Sequence, residues 1–164
     1  MNQILIQAAK EQDFEGIWQI FRNIIVKGDT YANGPKTTRD QAYEKWADKN
    51  AKVFIAKNND KIIGAYLIKN NQVELGSHVA NCSYIVDENA RGTGLGKALG
   101  LHSIEVAKDL KYKGIQFNFV VSTNKVAVNL WQSLGFKIIG IIPNGFDHKI
   151  LGFVDAYIMF KELS

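Results

Sequence analysis

The sequence predicts a mixed α+β protein in which helices cover the faces of a central, mostly antiparallel twisted sheet. Three observations support this fold class. Apolar residues recur at helical spacing before Lys52 and alternate from Lys52 onwards. Three consecutive strands begin at Lys52, and the rest of the chain is predicted to form a helix, a strand, a helix and two strands in that order. The count is about seven strands and four helices, which we expect to form a single domain over residues 1–164.

The first part of the chain combines one strand with two helices. Ile4–Ala9 is apolar enough for an opening strand, and Asp13 is placed to cap the helix that follows it. A loop is expected over 29–37, and Thr37 and Asp40 have the spacing of a capping box for the second helix. The apolar positions that define these helices are Ile17, Trp18, Ile20, Phe21, Ile24 and Ile25 in the first, and Tyr43 and Trp46 in the second.

The second part of the chain begins with a three-stranded meander. Residues 52–58 and 61–69 flank a polar turn and predict a hairpin, and His78–Val86 adds the third strand. A helix is expected over Leu95–Tyr112, with Gly114 as its C-cap. The later elements are a strand at 115–121, a helix at 124–134 closed by Gly135, and strands at 136–142 and 152–163.

Strict alternation along two of these strands predicts which side chains share a face of the sheet. In the meander strand, His78, Ala80, Cys82 and Tyr84 fall on one face. In the strand at 115–121, Gln116, Asn118 and Val120 are expected on one face and Phe117, Phe119 and Val121 on the other.

Composition and charge limit the classes of function. The chain is 46% hydrophobic and 22% charged, which is ordinary for a globular protein, and no apolar run is long enough to span a bilayer. The N-terminal segment lacks the features of a signal peptide, so we expect a cytoplasmic protein. Cys82 is the only cysteine, which excludes a disulfide framework and a cysteine zinc site. The net charge of +4 permits anionic ligands or RNA without requiring either.

Three glycines, Gly92, Gly94 and Gly96, lie at every second position between a strand and a helix. Glycine allows the backbone to turn tightly and approach a ligand, and the first amides of a helix are unpaired, so the junction suits a diphosphate. A nucleotide-binding P-loop is excluded because Lys97 is followed by Ala98 rather than Ser or Thr. A dinucleotide fold would place its glycines after the first strand of a βαβ unit. The loop alone leaves a phosphate site and a structural turn open.

A second motif lies in the helix at 124–134, where Asn124, Val128 and Trp131 share one face. Asn124 also fits an N-cap, and Trp131 also fits core packing. Together the two motifs resemble those of the GNAT acetyltransferase superfamily. Its acetyl-CoA loop has the pattern Arg/Gln-x-x-Gly-x-Gly/Ala, and its later helix has Asn-x-x-Ala-x-x-aromatic-aromatic followed by Gly-Phe. The matching residues are Arg91, Gly94 and Gly96 in the loop and Asn124, Ala127, Trp131, Gly135 and Phe136 in the helix.

The resemblance implies the GNAT acyl-CoA N-acyltransferase fold and direct transfer of an acetyl group from acetyl-CoA to a primary amine, without a metal. The loop amides would bind the CoA diphosphate, and the edge of Tyr84–Val86 would pair with the pantetheine amides. A splay between this strand and the strand at 115–121 would open a slot for the cofactor. The residues expected to bind acetyl-CoA are Tyr84, Ile85, Val86, Arg91, Gly92, Thr93, Gly94, Leu95, Gly96, Lys97, Asn124, Asn129 and Trp131.

The chain departs from the family pattern at Trp131, where the family usually has a tyrosine thought to protonate the departing thiolate. An indole N–H is not a usable acid, so either the thiolate leaves without one or Tyr84 serves. Cys82 is expected to be an inert buried residue rather than an acyl carrier. The candidates for catalysis are Tyr84, Asn124 and His78, with Glu74, His148 and Asp155 as further titratable groups and a water chain as an alternative base.

The acceptor predicted from the resemblance is the primary amine of a small molecule, an amino acid or an amino-acid-like compound. Residues 28–35 and 152–157 are similar to segments of the branch that includes phosphinothricin and amino-acid acetyltransferases. A protein N-terminus, an aminoacyl-tRNA, a polyamine or a non-catalytic acyl-CoA-binding module stay open, although nucleic acid is not expected because no basic stripe is present. A homodimer through the C-terminal strands is also compatible. The pocket candidates are Asp29, Thr30, Tyr31, Asn118 and Asp155.

Overall fold

A computed structural model describes residues 4–164, which form one seven-stranded sheet with helices on both faces. The sheet order is β1-β2-β3-β4-β5-β7-β6. This arrangement confirms the predicted α+β fold class. The strands are β1 (Leu5–Ala8), β2 (Lys52–Asn58), β3 (Lys61–Asn70), β4 (Val79–Val86), β5 (Gly114–Val121), β6 (Lys137–His148) and β7 (Gly152–Glu162), and the helices are α1 (Phe14–Ile25), α2 (Arg39–Trp46), α3 (Leu95–Asp109) and α4 (Lys125–Ser133).

Two apolar cores lie on opposite faces of the sheet. The first core joins α1 and α2 to β2 and β3, with Phe21, Trp46 and Ile55 almost fully buried. The second core joins α3 and α4 to the sheet, with Leu99 and Trp131 at its centre. Because each helix pair buries an apolar stripe against the sheet, both faces are covered. No helix among residues 4–164 is long and apolar enough to cross a membrane.

The sheet is antiparallel except where β4 meets β5. These two strands are parallel and pair only through Val79 with Gly114 and Ala80 with Ile115. Beyond Ala80 they diverge, although β4 stays paired with β3 along its whole length and β5 stays paired with β7. The predicted splay is therefore present in the structure.

A bulge in β5 changes the predicted alternation of its side chains. Phe117 pairs with Met159 and Val120 pairs with Tyr157, so β5 takes three steps while β7 takes two. Phe117 and Val120 consequently belong to the same core, whereas strict alternation assigns them to opposite faces. The prediction for Val120 was therefore wrong, because one extra residue reverses the pleat.

Both carboxylate capping predictions for the first two helices need adjustment. Asp13 occupies the N-cap position of α1, but its carboxylate accepts the Lys10 N–H at 2.8 Å and so caps the short 3₁₀ turn before the helix. The carboxylate also forms an ion pair with Lys57 at 3.2 Å. Asp13 therefore joins the start of α1 to β2.

The capping box of α2 lies one residue later than predicted. Thr38, rather than Thr37, is the N-cap, and its hydroxyl accepts the Gln41 N–H at 3.2 Å. The Gln41 side chain accepts the Thr38 N–H at 2.9 Å, in the role that the sequence assigns to Asp40 with Thr37. Two adjacent threonines made the sequence compatible with either register.

Gly114 is not the C-cap of α3. The left-handed residue after this helix is Lys111, with φ of 66°, and Gly114 is instead the first, buried residue of β5. It is the position at which β4 and β5 pair before they diverge. Its lack of a side chain serves packing, since an added Cβ would lie 2.5 Å from the Phe160 ring.

The edge strands of the sheet are β1 and β6, and exposed apolar side chains lie on β6 and the adjacent strand β7. Ile139 and Ile141 on β6 and Phe153 on β7 are 58%, 58% and 70% exposed. An apolar edge of this kind can pair with another strand. The homodimer through the C-terminal strands stays a prediction.

We predict that Gly114→Ala lowers the free energy of unfolding by about 1–3 kcal/mol, because its Cβ would press on the Phe160 ring and lie 3.1 Å from the Lys161 carbonyl oxygen. Gly140→Ala is the matched control, since it also faces β7 but its Cβ would make ordinary contact with Ile158 at 3.5 Å. Urea denaturation of both variants measures the difference. Equal stability of the two variants would contradict the packing role of Gly114.

Candidate functional site

The divergence of β4 from β5 opens a slot of about 360 Å³. One wall comes from the chain before β2, and the other comes from β4, β5 and the start of α4. Arg91, beside the glycine loop, reaches the same slot. The lining residues are Ile24, Thr30, Tyr31, Ala32, Asn33 and Lys45 in the first group, and Asn81 to Val86, Arg91, Phe117 to Val121, Asn124, Ala127 and Trp131 in the second.

The edge of β4 presents backbone groups to this slot. The Asp87 N–H donates to the Ile63 carbonyl at 2.8 Å, which fixes the phase of the β3–β4 ladder. In an antiparallel ladder alternate residues bond to the same neighbour, so Ile85 bonds towards β3 while Tyr84 and Val86 face the other way. The N–H groups of Tyr84 and Val86 therefore point into the slot.

Asn81 bridges the narrow end of the slot. Its side-chain amide donates to the Gln116 carbonyl at 2.9 Å, directly after the last β4–β5 backbone pair. The bond replaces one ladder interaction that the divergence removes. It defines where the slot begins.

The loop after α1 is attached to the β4 edge by Tyr31. The Tyr31 hydroxyl donates to the Tyr84 carbonyl at 2.6 Å, and its ring packs edge-on against Phe21 with centroids 5.3 Å apart. Burial raises the pKa of Tyr31, so the hydroxyl stays protonated and remains a donor at neutral pH. The adjacent Thr30 hydroxyl is buried in the same wall without a hydrogen-bond partner.

The glycine loop has the geometry of an anion cradle. Gly92 and Gly94 adopt φ angles of 75° and 85°, and a Cβ on either would meet nothing within 4 Å. The first hydrogen bond of α3 runs from the Ala98 N–H to the Gly94 carbonyl at 3.0 Å, so the amides of residues 95–97 have no partner within the helix. Open backbone, unpaired amides and the helix dipole together fit the diphosphate of CoA.

The two carboxylates that precede the glycine loop are each neutralised by a lysine, so they do not repel an anion bound at the loop. Asp87 is paired with Lys61 at 3.0 Å, and Glu88 is paired with Lys27 at 2.7 Å. Burial of Asp87 opposes ionisation, but the Asn89 N–H and then Lys61 lower the pKa of its carboxyl, and the bond to Lys27 lowers the pKa of Glu88, so both carboxylates stay ionised at neutral pH. Arg91 is then the loop cation that lines the slot.

Tyr84 does not offer its hydroxyl to the slot. Ser103 donates to the Gly100 carbonyl at 2.8 Å, so the 2.7 Å contact between Tyr84 and Ser103 uses the tyrosine as donor. Burial raises the pKa of Tyr84 well above its ordinary value. The expectation that Tyr84 replaces the missing acid is therefore not supported, because its proton is held beneath α3.

Trp131 packs against the aromatic wall of the slot. Its ring centroid lies 4.6 Å from that of Tyr84 and 4.8 Å from that of Phe117, and the residue is buried. This position agrees with the packing role that the sequence suggested for the indole. Among the residues that match the helix motif, Asn124 and Ala127 also line the slot.

Asn124 is the N-cap of α4, where its side-chain oxygen accepts the Ala127 N–H at 3.3 Å. It also lies in the slot wall, so the capping role and the cofactor role are compatible. Asn118 lies at the slot too, and its amide donates to the Asn71 side-chain oxygen at 2.6 Å.

Several predicted site residues lie elsewhere. His78 precedes β4 and borders a separate depression with Tyr112, about 20 Å along the strand from Tyr84 at the usual rise per residue. Asp155 accepts the Asn144 N–H at 3.0 Å and supports the turn in β6. Neither side chain lines the slot, so the structure does not bring either residue to the divergence of β4 and β5. The other predicted or candidate residues outside the lining are Asp29, Glu74, Asn129 and His148, and also Gly92, Thr93, Gly94, Leu95, Gly96 and Lys97 of the glycine loop.

Cys82 lines the slot but carries an unreactive thiol. It is buried, and burial raises the pKa of the thiol to about 12. The thiol is therefore neutral at physiological pH and is a poor nucleophile. In the described part of the chain, no group of three or more His, Cys, Asp or Glu side chains is arranged to hold a metal ion.

Lys45 is the main slot residue that sequence reasoning missed. It lies on α2, and its ammonium group is 4.9 Å from the centroid of the Tyr31 ring. Burial, with a smaller contribution from the charge of Lys69, lowers the pKa of Lys45 to about 8. A single lysine in a polar helix carries no local sequence signal, because its burial depends on the loop around Tyr31 folding over it.

Comparison with known proteins relates this geometry to a family. The Acetyltransferase (GNAT) family matches over residues 5–136. The N-acetyltransferase aca1 of Schizosaccharomyces pombe is 35% identical over 98 residues, which are 59% of this chain and 47% of aca1. The N-acetylaspartate synthetase of Xenopus tropicalis is 30% identical over 105 residues, which are 60% of this chain and 36% of that protein. The matched region therefore spans less than half the length of these curated relatives.

Solved structures share the fold along almost the whole chain. A GCN5-related N-acetyltransferase from Kribbella flavida is 36% identical with a TM-score of 0.92, and the match covers 98% of both chains. A GNAT superfamily phosphinothricin acetyltransferase from Sinorhizobium meliloti, solved in complex with acetyl-CoA, has a TM-score of 0.84 at 19% identity, covering 100% of this chain and 90% of that one. The second likeness supports the fold alone.

The matched region includes both the glycine loop and the motif at the start of α4. The predicted GNAT fold is confirmed by the sheet order and by the likeness to these structures. The family match covers far more than half of the sequence. This chain therefore belongs to the GNAT acetyltransferase family. The members of that family are transferases, which agrees with the enzyme class expected from the sequence.

Proposed function

We propose that the protein is an acetyl-CoA-dependent N-acetyltransferase that acts on the primary amine of a small molecule, an amino acid or an amino-acid-like compound. One observation carries this proposal. The slot runs along the free edge of β4 between a second, polar wall from the loop after α1 and Arg91, which directly precedes the open glycine loop. Such a slot can hold a long cofactor and a small acceptor end to end. The names of the relatives support N-acetylation, and one of them names an amino-acid product.

The chain supplies separate groups for each part of the cofactor. The amides after Gly94 and the side chain of Arg91 would hold the diphosphate. The N–H groups of Tyr84 and Val86 would pair with the pantetheine or with the acetyl oxygen, as an added strand pairs with a sheet edge. Asn124 would contact the pantetheine from α4. The remaining loop residues predicted for this role, Gly92, Thr93, Leu95, Gly96 and Lys97, contribute backbone to the cradle.

Acetyl-CoA supplies the thioester whose acetyl carbonyl the neutral amine attacks. An N–H of Tyr84 or Val86 is placed to stabilise the oxygen on which negative charge develops. The lining contains no Asp, Glu or His. We therefore infer that the amine loses its proton to water in the slot, and that the thiolate departs without a protein acid.

The proposal is tested by thiol release from acetyl-CoA across the amino acids, their amides and simple amines. Release that depends on one class of amine, with a matching N-acetylated product by mass spectrometry, supports it. Calorimetric binding of acetyl-CoA without release by any amine would instead indicate a non-catalytic acyl-CoA-binding module or a macromolecular acceptor. Absence of acetyl-CoA binding would overturn the proposal.

Gly94→Ala is predicted to weaken acetyl-CoA binding at least tenfold, because alanine disfavours the left-handed backbone that opens the cradle. Gly152→Ala is the matched control, since Gly152 has φ of 73° and an equally open Cβ position at the start of β7, and it does not line the slot. Isothermal titration of acetyl-CoA into both variants measures the effect. Similar weakening in both variants would show that general destabilisation, rather than the cradle, is responsible.

Replacement of Cys82 by alanine is predicted to leave acetyl transfer within about threefold of wild type, because a thiol with a pKa of about 12 cannot serve as an acyl carrier. The native thiol should also resist iodoacetamide at pH 8 and react after denaturation. Loss of turnover in the variant with unchanged acetyl-CoA affinity would point to an acetyl-cysteine intermediate instead.

A further inference from the structure

The slot is lined by two positively charged side chains. Arg91 follows Val86 and lies beside the glycine loop, whereas Lys45 lies on α2 with its ammonium group over the Tyr31 ring. The first charge belongs to the cofactor site, but the second is not explained by acetyl-CoA.

No acidic group compensates for Lys45. The slot lining contains neither Asp nor Glu, and within residues 4–164 Lys45 forms no ion pair. The neighbouring Lys69 is already paired with Asp48 at 3.6 Å. Removing a charge from water without a partner is costly, so an anion that enters the slot would be attracted to this ammonium group.

The surroundings of Lys45 hold it in position for a ligand. Its ammonium group rests 4.9 Å from the Tyr31 ring centroid and 5.9 Å from that of Phe21. Tyr31 is in turn fixed by its hydrogen bond to the Tyr84 carbonyl. Thr30, next to Tyr31, adds a buried hydroxyl that has no partner and lies in the same wall. An unpaired cation and an unpaired hydroxyl thus occupy one side of the slot.

We propose that Lys45 and Thr30 bind a carboxylate of the acceptor, so that the enzyme selects amines that also carry a carboxylate. This inference rests on the proposed function and adds the residues that set its specificity. With its carboxylate at Lys45, an amino acid places its amine towards the edge of β4, where the acetyl group would be held. A diamine would place a second cation against Lys45, so polyamines are disfavoured.

The test compares each active amino acid with its amide in wild type, Lys45→Met, Thr30→Val and Lys69→Met. Methionine preserves the length and packing of the lysine stem. Lys45→Met should raise KM for the amino acid at least tenfold with kcat within threefold, and should leave the amide unchanged. Thr30→Val should act in the same direction with a smaller effect. Lys69→Met removes a neighbouring charge that lowers the pKa of Lys45, so it should leave KM for the amino acid unchanged or lower, and not raised.

Two results would overturn the carboxylate site while leaving the proposed function intact. The first is equal kcat/KM for amino acids and amides in wild type. The second is an equal loss for both acceptors in Lys45→Met, which would indicate a structural role. Thermal unfolding of the variant checks this point, since removal of a half-buried charge that forms no ion pair among the described residues should leave its Tm unchanged or higher.

A binding measurement tests the site even if no amine is acetylated. N-acetyl-L-leucine and N-acetyl-L-leucinamide are titrated by calorimetry into CoA-saturated wild type and Lys45→Met. The site predicts that the carboxylate ligand binds wild type at least tenfold more tightly than the variant, and that the amide shows no such difference. Failure of the carboxylate ligand to bind wild type, or equal binding to both proteins, would overturn it.

Discussion

The loss of pairing between β4 and β5 is the constraint on which the rest of the structure depends. Two residue pairs join these strands, and every backbone group beyond them needs another partner or a ligand. The divergence survives because each strand keeps a complete neighbour on its other side, β3 for β4 and β7 for β5. Asn81 and Tyr31 satisfy two of the exposed carbonyls with side-chain hydrogen bonds. The amides that remain are those that the proposed chemistry uses.

Aromatic packing keeps the slot open on the side of α4. Trp131 lies against Tyr84 and Phe117, and Phe117 stacks on Phe136 with centroids 4.3 Å apart. These rings fill the space behind the cofactor wall, so the two strands cannot close. Cys82 is buried in the same core, and the Tyr84 hydroxyl is held by its contact with Ser103, so neither side chain is available for covalent or acid catalysis. The mechanism that we propose therefore relies on backbone groups and water.

The fold could be predicted, and candidate cofactor residues could be named, because their signals are local. Helical spacing, strand alternation and the glycine and asparagine motifs are read within a dozen residues, and Arg91 and Asn124 do lie at the slot. The acceptor half depends on contacts between distant segments. No residue near Lys45 in sequence shows that Tyr31 will pack against the Lys45 ammonium group. Likewise, no residue near His78 shows that β4 separates from β5 at the end far from His78. The bulge in β5 was invisible for a similar reason, since it is defined by pairing with β7.

The two walls of the slot come from different stretches of the chain. Residues 24–45 form one wall, and residues 81–131 form the other, with the hairpin of β2 and β3 between them in sequence. The side chains of the first wall pack mainly in one core and most of those of the second wall in the other, with Ile85 and the Tyr31–Tyr84 hydrogen bond as the links between them. If the proposed roles hold, natural variation in the loop after α1 and in α2 would diversify the choice of acceptor while the residues for the common cofactor are inherited with little change.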